Sequence, residues 1–297
     1  MKTVLVADKN GQLGNQLFLF AHFISNAIEN NYRLYFPAFN ELSVYFEHAS
    51  KNSYGNYPIN SRVSRFNFIN DCFLFLIRYF VAVLYRIFPV SKWHRVIRLY
   101  HTYDMVKDQN EYYIMENEKD FLSNEKLLIL QGWRFRSPKC VIKHSQIVRP
   151  FFELKPIWKK KIADLINKCR KDCDVLIGVH IRRGDYKTFL NGIYYFDDES
   201  YRNYMLQVSK LFPDKKIRFL ICSNENVSIL EPEGCSITYP KGHFIEDLYS
   251  LAECDYIIGP PSTFSQWASY YGNKPLKILS KPNGPILSLE EFKVAAL

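Results

Sequence analysis

A two-domain α/β chain is what the sequence predicts, and three observations carry the prediction. The chain opens strand, glycine turn, helix, strand; its second half alternates strands with helices; and its 297 residues are about two domains' worth. Disorder, a collagen-like repeat and a small disulfide scaffold are excluded, because 47% of the chain is hydrophobic and it carries 23 Phe, 21 Tyr and 4 Trp.

The elements follow in order. Thr3 to Ala7 is a short apolar, β-branched run, hence a strand. Gly11 and Gly14 mark a turn, Asn15 stands near the cap, and a helical pattern runs from Gln16 to about Glu29. Arg33 to Phe36 reads as the second strand of a βαβ opening. Residues 40–125 are irregular, aromatic and rich in Asn and Tyr, apart from an apolar run at Cys72 to Val90. Leu127 to Leu130 is a strand, and a helix covers Pro156 to Arg170, with proline in its first turn and Trp158, Ile162, Leu165 and Ile166 on one face. Beyond it, strands at Val175–His180, Ile217–Cys222, Ser236–Tyr239 and Tyr256–Ile258 alternate with helices at Glu199–Phe212, Phe244–Glu253 and Thr263–Tyr271. That spacing implies a parallel sheet with helical crossovers. We expect domains over 1–170 and 171–297.

The run at 72–90 approaches transmembrane length, yet it contains Arg78 and Arg86, and Lys92, Trp93, Arg95 and Arg98 follow. Charges at that depth argue against a span. Two readings stay open for a basic, aromatic helix over 72–98. One is a buried helix whose arginines reach out from an edge, the other a helix lying on an anionic membrane face. The first residues show no cleavable signal peptide, and the expected location is the cytoplasm, peripheral to the inner membrane face. Seven cysteines, an odd number without paired spacing, read as reduced thiols rather than a zinc site.

Lys and Arg exceed Asp and Glu by 39 to 30, a dispersed excess of +9 that calls for an anionic partner. Nucleic acid is not the expected partner, since the excess is dispersed and the chain shows no RNA-binding motif. In open α/β sheets, ligands bind at the carboxyl ends of strands, and three segments fall there. GQLGNQ at 11–16 offers backbone N–H groups before a helix. VHIRRGD at 179–185 places two arginine forks, suited to a diphosphate, beside a sharp glycine turn. GPPSTFSQW at 259–267 starts a helix with Ser262 or Thr263 as its cap. Each also has a plain structural reading, as a tight turn, a salt-bridged turn and a capped helix. Glu246, Asp247 and Asp255 are acids that would receive base or sugar donors, though the first two also suit a helix start. DCD at 172–174 precedes a strand and reads as a solvated turn; the run Asp197 to Glu199 opens the next helix. No P-loop, serine-hydrolase elbow or zinc-protease motif is present, and no motif calls for a metal.

HIRRGDY at 180–186 resembles the H-x-R-R-G-D motif of the fucosyltransferase superfamily. GQLGNQLFLFA at 11–21 is similar to the opening of the bacterial α-1,2-fucosyltransferases, glycosyltransferase family 11. EDLYSLAECDYIIGPPSTFSQWASYYG at 246–272 looks like that family's third segment, in the same order. Gln12, Leu19, Thr263 and Gln266 depart from the pattern. The resemblance implies a GT-B-like fold, two Rossmann-type domains facing across a cleft, with the first on the acceptor side and the second binding the GDP-sugar. It implies inverting, metal-independent transfer of L-fucose from GDP-β-L-fucose to a galactoside hydroxyl of an oligosaccharide, with an α-1,2 linkage favoured and no cofactor. Another GDP-sugar, acceptor or linkage is the alternative. Arg182, Arg183 and Asp185 would be catalytic, with Asp185 either the base or the residue holding an arginine. His180, Asp247 and Asp255 would contact the guanosine, Ser262, Thr263 and Ser265 the phosphates, while Gly14 and Asn15 would close over the donor.

Overall fold

β-Branched and aromatic runs become strands wherever both of their faces find cover, and this happens twice along the chain. The computed structural model describes residues 2–9, 11–49, 55–58, 76, 79–99, 112–118, 121, 125–240 and 242–296. It divides into two compact units, Met1–Lys155 and Pro156–Leu297.

In the first unit, β1 (Thr3–Val6) runs parallel to β2 (Arg33–Tyr35) on one side and β6 (Leu127–Gly132) on the other. β4 (His94–Leu99) lies parallel beyond β6, and β3 (Asn56–Tyr57) antiparallel beyond β2. A small parallel ribbon pairs β5 (Tyr113–Ile114) with β7 (Phe135–Arg136). Helix α1 (Leu13–Asn30) is buried nearly all round, as its scarcity of charged residues requires. It starts three residues before the expected position, so Asn15 lies in its first turn and Gln12 at its cap.

The phenylalanine excess is spent here. The Phe20 ring meets those of Phe36, Phe39, Phe151 and Phe152 at 4.7–5.7 Å, in edge-to-face and tilted pairs. Helices α3 (Pro138–Lys143) and α4 (Ser145–Phe151) bring the last of these rings toward α1. His22 is also buried, its Nδ1 accepting from the Ser137 N–H at 2.9 Å. Burial, then the nearby Arg136 charge, holds its pKa down at about 3, so this imidazole is neutral.

The expected helix over 72–98 is corrected. Described helical backbone, α2, covers 79–87, and residues 94–98 belong to strand β4, which pairs along its whole length with β6. Pro89 ends the helix, and β-branched Val96 and Ile97 suit a strand. Residues 72–75, 77 and 78 lie outside the described set. Among the described residues, no helix is long and apolar enough to cross a membrane.

The second unit begins with α5 (Pro156–Arg170), which the expected boundary at 170 had assigned to the first. Its side chains explain the difference. Lys161 pairs with Glu246 at 3.2 Å, and Arg170 with Asp255, both deep in the second unit's sequence. The six-stranded sheet has β8 (Val175–Ile181) at its centre. β9 (Ile217–Ser223) and β10 (Cys235–Thr238) lie to one side of it. β11 (Tyr256–Gly259), β12 (Pro275–Ile278) and the antiparallel β13 (Lys293–Val294) lie to the other.

In chain order this is the 3-2-1-4-5-6 arrangement of a dinucleotide-type fold, with its switch point between β8 and β11. Strand alternation assigns the two faces. Ile177, Val179 and Ile181 pack on helix α6 (Asp198–Ser209), through Tyr201, Tyr204, Met205 and Val208. Gly178 and His180 face the helices α7 (Phe244–Ala252) and α8 (Thr263–Gly272), with Leu251 and Cys254 so near Gly178 that no Cβ fits there.

Candidate active site

At the switch point, the carboxyl end of β8 delivers His180, Ile181, Arg182 and Arg183 in succession. Beside it, β11 ends at Gly259, whose neighbour Ile258 pairs with Val179. A Cβ on Gly259 would stand 3.0 Å from the His180 Cβ and 3.1 Å from its carbonyl oxygen. Only glycine leaves the His180 ring where it is.

That ring is buried and stacks on Phe264 at 4.9 Å. Burial, then the Arg182 charge, pushes its pKa down to about 3, so it is neutral. Its Nδ1 has no hydrogen-bond partner. Next to it on β9, Cys222 pairs in register with His180, and its thiol lies 3.7 Å from the carbonyl oxygen of Asp247. This brings the first turn of α7 to the same edge. The Asp247 carboxyl is buried, one oxygen (Oδ1) has no partner, and burial followed by the Glu246 charge raises its pKa to about 7. Two buried, underused polar groups on one edge of a fold signal a ligand's polar edge.

The two arginines are not equivalent. Arg182 reaches Asp185 at 2.8 Å, a carboxylate 60% exposed and therefore loosely held. Arg183 is tied to Asp198 in the first turn of α6, with its Nε buried and unpartnered. An open depression of about 380 Å³ lies there, lined by Arg183, Tyr195, Asp197, Asp198 and Glu199. Its three acids disfavour a phosphate there, and Arg183 braces the loop through Asp198.

Gly184 turns the chain with φ of 61°, a left-handed value that a side chain there would strain. The loop is braced from outside. The Asn224 Oδ1 accepts the Arg183 N–H at 2.8 Å, and the Tyr186 hydroxyl donates to the Pro261 carbonyl at 2.6 Å. The second bond fastens the β8 loop to the β11 loop. From that loop, Ser262 caps α8 by accepting the Phe264 N–H at 3.2 Å, and buried Ser265 donates to the Ser262 carbonyl at 3.2 Å. Thr263 opens the helix, whose remaining first-turn N–H groups face the crevice end of the sheet.

His180, Arg182, Arg183, Asp185, Asp247, Ser262, Thr263 and Ser265 thus share one edge. Asp255 does not. It sits at the amino end of the strands, where its N–H donates to the Leu176 carbonyl and its carboxylate accepts from the Leu176 N–H and from both Arg170 terminal nitrogens. At about 3.3 Å per residue, the five residues from Leu176 to Ile181 put it roughly 17 Å from the crevice. Asp255 is therefore a structural anchor rather than a guanosine contact. Gly14 and Asn15 belong to the first unit, buried and half-buried in the first turn of α1, where Gln16 Nε2 donates to the Gly11 carbonyl at 3.2 Å.

Asn224, Asp198, Tyr186 and Phe264 went unassigned in the sequence. Asn224 follows directly on β9 and Tyr186 stands inside HIRRGDY, so strand-end position would have marked both. Asp172 and Asp174 form the α5-to-β8 turn as read from sequence, with Asp174 accepting the Lys216 N–H at 2.8 Å. Among the described residues, no three His, Cys, Asp or Glu are grouped to hold a metal ion.

A fold with this strand order binds its ligands at the carboxyl ends of the strands, where these residues gather. The family model for glycosyl transferase family 11 matches residues 102–291, well over half of the chain, and the chain belongs to that family. It is a glycosyltransferase of a fucosyltransferase family, as the three sequence segments led us to expect. None of the curated proteins matches it in sequence.

Solved structures match along nearly its whole length. An Arabidopsis thaliana FUT1 mutant in complex with GDP has a TM-score of 0.60 at 16% identity, covering 95% of this chain and 71% of that one. The fucosyltransferase NodZ from Bradyrhizobium gives 0.55 at 15%, covering 96% and 97%. POFUT1 in complex with GDP-fucose gives 0.52 at 10%, covering 92% and 94%. At such identities the likeness is one of fold, the GT-B-like α/β class.

Proposed function

We propose that the chain transfers L-fucose from GDP-β-L-fucose to a hydroxyl of a galactoside within an oligosaccharide, inverting the anomeric carbon to give an α-fucoside, the α-1,2 linkage favoured. The observation that carries this reading is the pairing, on one sheet edge, of a buried carboxyl whose Oδ1 has no partner with an arginine whose carboxylate partner is exposed, beside a capped helix start. The guanine edge presents adjacent N–H donors that a carboxylate accepts together, which suits Asp247. Neutral His180 offers Nδ1 to the same nucleoside.

Arg182 leaves Asp185 for the diphosphate and meets the charge that grows on the departing GDP, helped by the N–H groups of α8. That arrangement requires no metal. Arg183, held by Asp198 and Asn224, keeps Arg182 aimed. The acceptor oxygen bonds to the fucose anomeric carbon as the bond to the β-phosphate oxygen breaks, and the hydroxyl proton passes to a base. Asp185 is our candidate for it, released as Arg182 turns away; its ion pair supports the holding role as well. Gly14 and Asn15 approach the donor from the first unit in this reading, which also takes that unit as the acceptor side. The six described cysteines are free thiols, which supports a cytoplasmic site of action.

GDP release from GDP-fucose, measured in EDTA with lactose as acceptor and GDP-mannose as control donor, tests the proposal. Acceptor-stimulated release with the fucose donor alone is the expected result, and linkage analysis of the product decides α-1,2. Release that lactose does not stimulate would remove the galactoside. Equal use of GDP-mannose would remove the donor assignment.

A further inference from the structure

The solvent side of a surface helix is ordinarily polar, and α2 breaks that rule. Val81 and Leu84 turn inward and pack with Ala7, Val96 and Ile129 of the first unit's sheet. At 100° per residue, Tyr79, Phe80, Val83 and Ile87 fall on a second apolar stripe, about a third of a turn away. All four are exposed, Tyr79 by 68% and Ile87 by 59%.

The turn after the helix adds Phe88, Val90 and Trp93, all exposed, the last by 64%. This turn is built to hold its shape. The Ser91 hydroxyl accepts the N–H groups of Trp93 and His94 at 3.1 Å, while a ring nitrogen of His94 lies 2.8 Å from the Phe88 carbonyl oxygen. Lone exposed apolar residues need no explanation, but a run of exposed aromatic and aliphatic side chains on one helix and its following turn does.

The charges around it say what covers it. Residues 79–99 contain no Asp or Glu, and of their cations Arg95 is paired with Glu125 at 2.9 Å. Arg86 and Lys92 are exposed beside the stripe, and Lys126 lies 4.5 Å from the Trp93 ring. Aliphatic and aromatic side chains rimmed by Tyr, Trp and basic groups match the boundary between acyl chains and anionic headgroups. A second copy meeting this face symmetrically would set Arg86, Lys92 and Lys126 against their own counterparts.

We propose that the α2 stripe and the following turn form an interfacial anchor that seats the chain on the surface of a bilayer rich in anionic phospholipid. The anchor is independent of the donor chemistry and stands or falls apart from it.

Co-sedimentation of the full chain with vesicles tests it, comparing pure phosphatidylcholine with phosphatidylcholine containing phosphatidylglycerol. The chain is expected to pellet with the anionic vesicles, far less with the zwitterionic ones, and less again at about 0.5 M salt. The triple variant Tyr79→Ser, Phe80→Ser, Ile87→Ser should lose at least about tenfold in apparent affinity. Its thermal unfolding should match the parent, because these side chains already face solvent. The pair Arg86→Glu, Lys92→Glu should weaken anionic binding by at least about fivefold per charge and leave zwitterionic binding as it was. A parent chain that stays in the supernatant with anionic vesicles overturns the proposal. So does a triple variant that pellets like the parent. A doubled mass in light scattering that the triple variant abolishes, without vesicle binding, would assign the face to a second copy instead.

Discussion

Replacing Asp247 by asparagine separates what the fold requires from what the ligand requires. The carboxyl is buried in the first turn of α7 and titrates at about 7, against an ordinary 3.8, because burial, then Glu246, disfavours its charge. In the unfolded chain it titrates near 4. The folded state therefore binds this proton more tightly, and the sign follows. Stability is greatest below about pH 4, falls as the pH climbs toward 7, and is level above. The gap between 3.8 and about 7 corresponds to about 4 kcal/mol at pH 8 and to less than half of that at pH 5.

Asparagine keeps the shape and has no charge to desolvate. Asp247→Asn should gain stability by up to about 4 kcal/mol at pH 8, and by much less at pH 5. Urea unfolding at the two pH values, with unchanged slope, measures this. The same variant should bind GDP about ten- to a hundredfold more weakly at pH 8, since its amide sets a donor against the guanine donors. Parent GDP affinity should itself fall as the pH drops through about 7. A variant less stable than the parent at pH 8, or equally stabilised at both values, would refute the buried, unpartnered carboxyl. Unchanged GDP affinity would refute its place in the nucleoside site.

Other residues give separate checks. Gly259→Ala forces a Cβ onto His180 and should cost about 1–3 kcal/mol of stability, with GDP affinity falling more than in any surface variant; an unfolding curve matching the parent would contradict the close approach. Asp255→Ala removes the partner of Arg170 and the Leu176 N–H and should cost about 1–2 kcal/mol, yet GDP affinity should stay within about twofold, as titration calorimetry would show. Arg182→Lys keeps the charge but loses the fork and should retain only part of the parent's GDP release, while Arg182→Ala should abolish it; a lysine variant as fast as the parent would remove the bidentate role. The neutral imidazoles of His22 and His180 both titrate at about 3 when folded, so each contributes stability that is complete above about pH 6.5 and drains at about 1.4 kcal/mol per pH unit toward 3. Asp247 offsets one of them over much of that range, and a His22→Gln variant should flatten the remaining slope in urea unfolding at pH 4.5 to 6.5.

The second unit was nearly all legible in sequence because its strands are buried on both faces and its helices carry caps. Val175 to Ile181 is apolar without interruption, and Asp197 and Ser262 sit at their helix starts, accepting the Ser200 and Phe264 N–H groups. The first unit hid more. β4 was lost inside a longer aromatic run, since Arg95 and Arg98 break its alternation and its pairing with Leu127–Gly132 is a contact from afar. The short helices α3 and α4 and the two-residue strands give no period to read. At the site, residue type marked the arginines, but which arginine faces a carboxylate in α6 and which a loose one is a matter of loop geometry. Asp255 misled because a strand-flanking acid reads the same at either end of a sheet.

The most direct test of a GDP site at the ends of β8 and β11 is calorimetric titration of GDP into the parent chain and into Arg182→Ala. Saturable binding by the parent, weakened about tenfold to a hundredfold in the variant, is the expected result, since a hydrogen bond to a charged group contributes about 1.5–3 kcal/mol. A parent chain that takes up no GDP, or a variant that takes it up equally well, would contradict it.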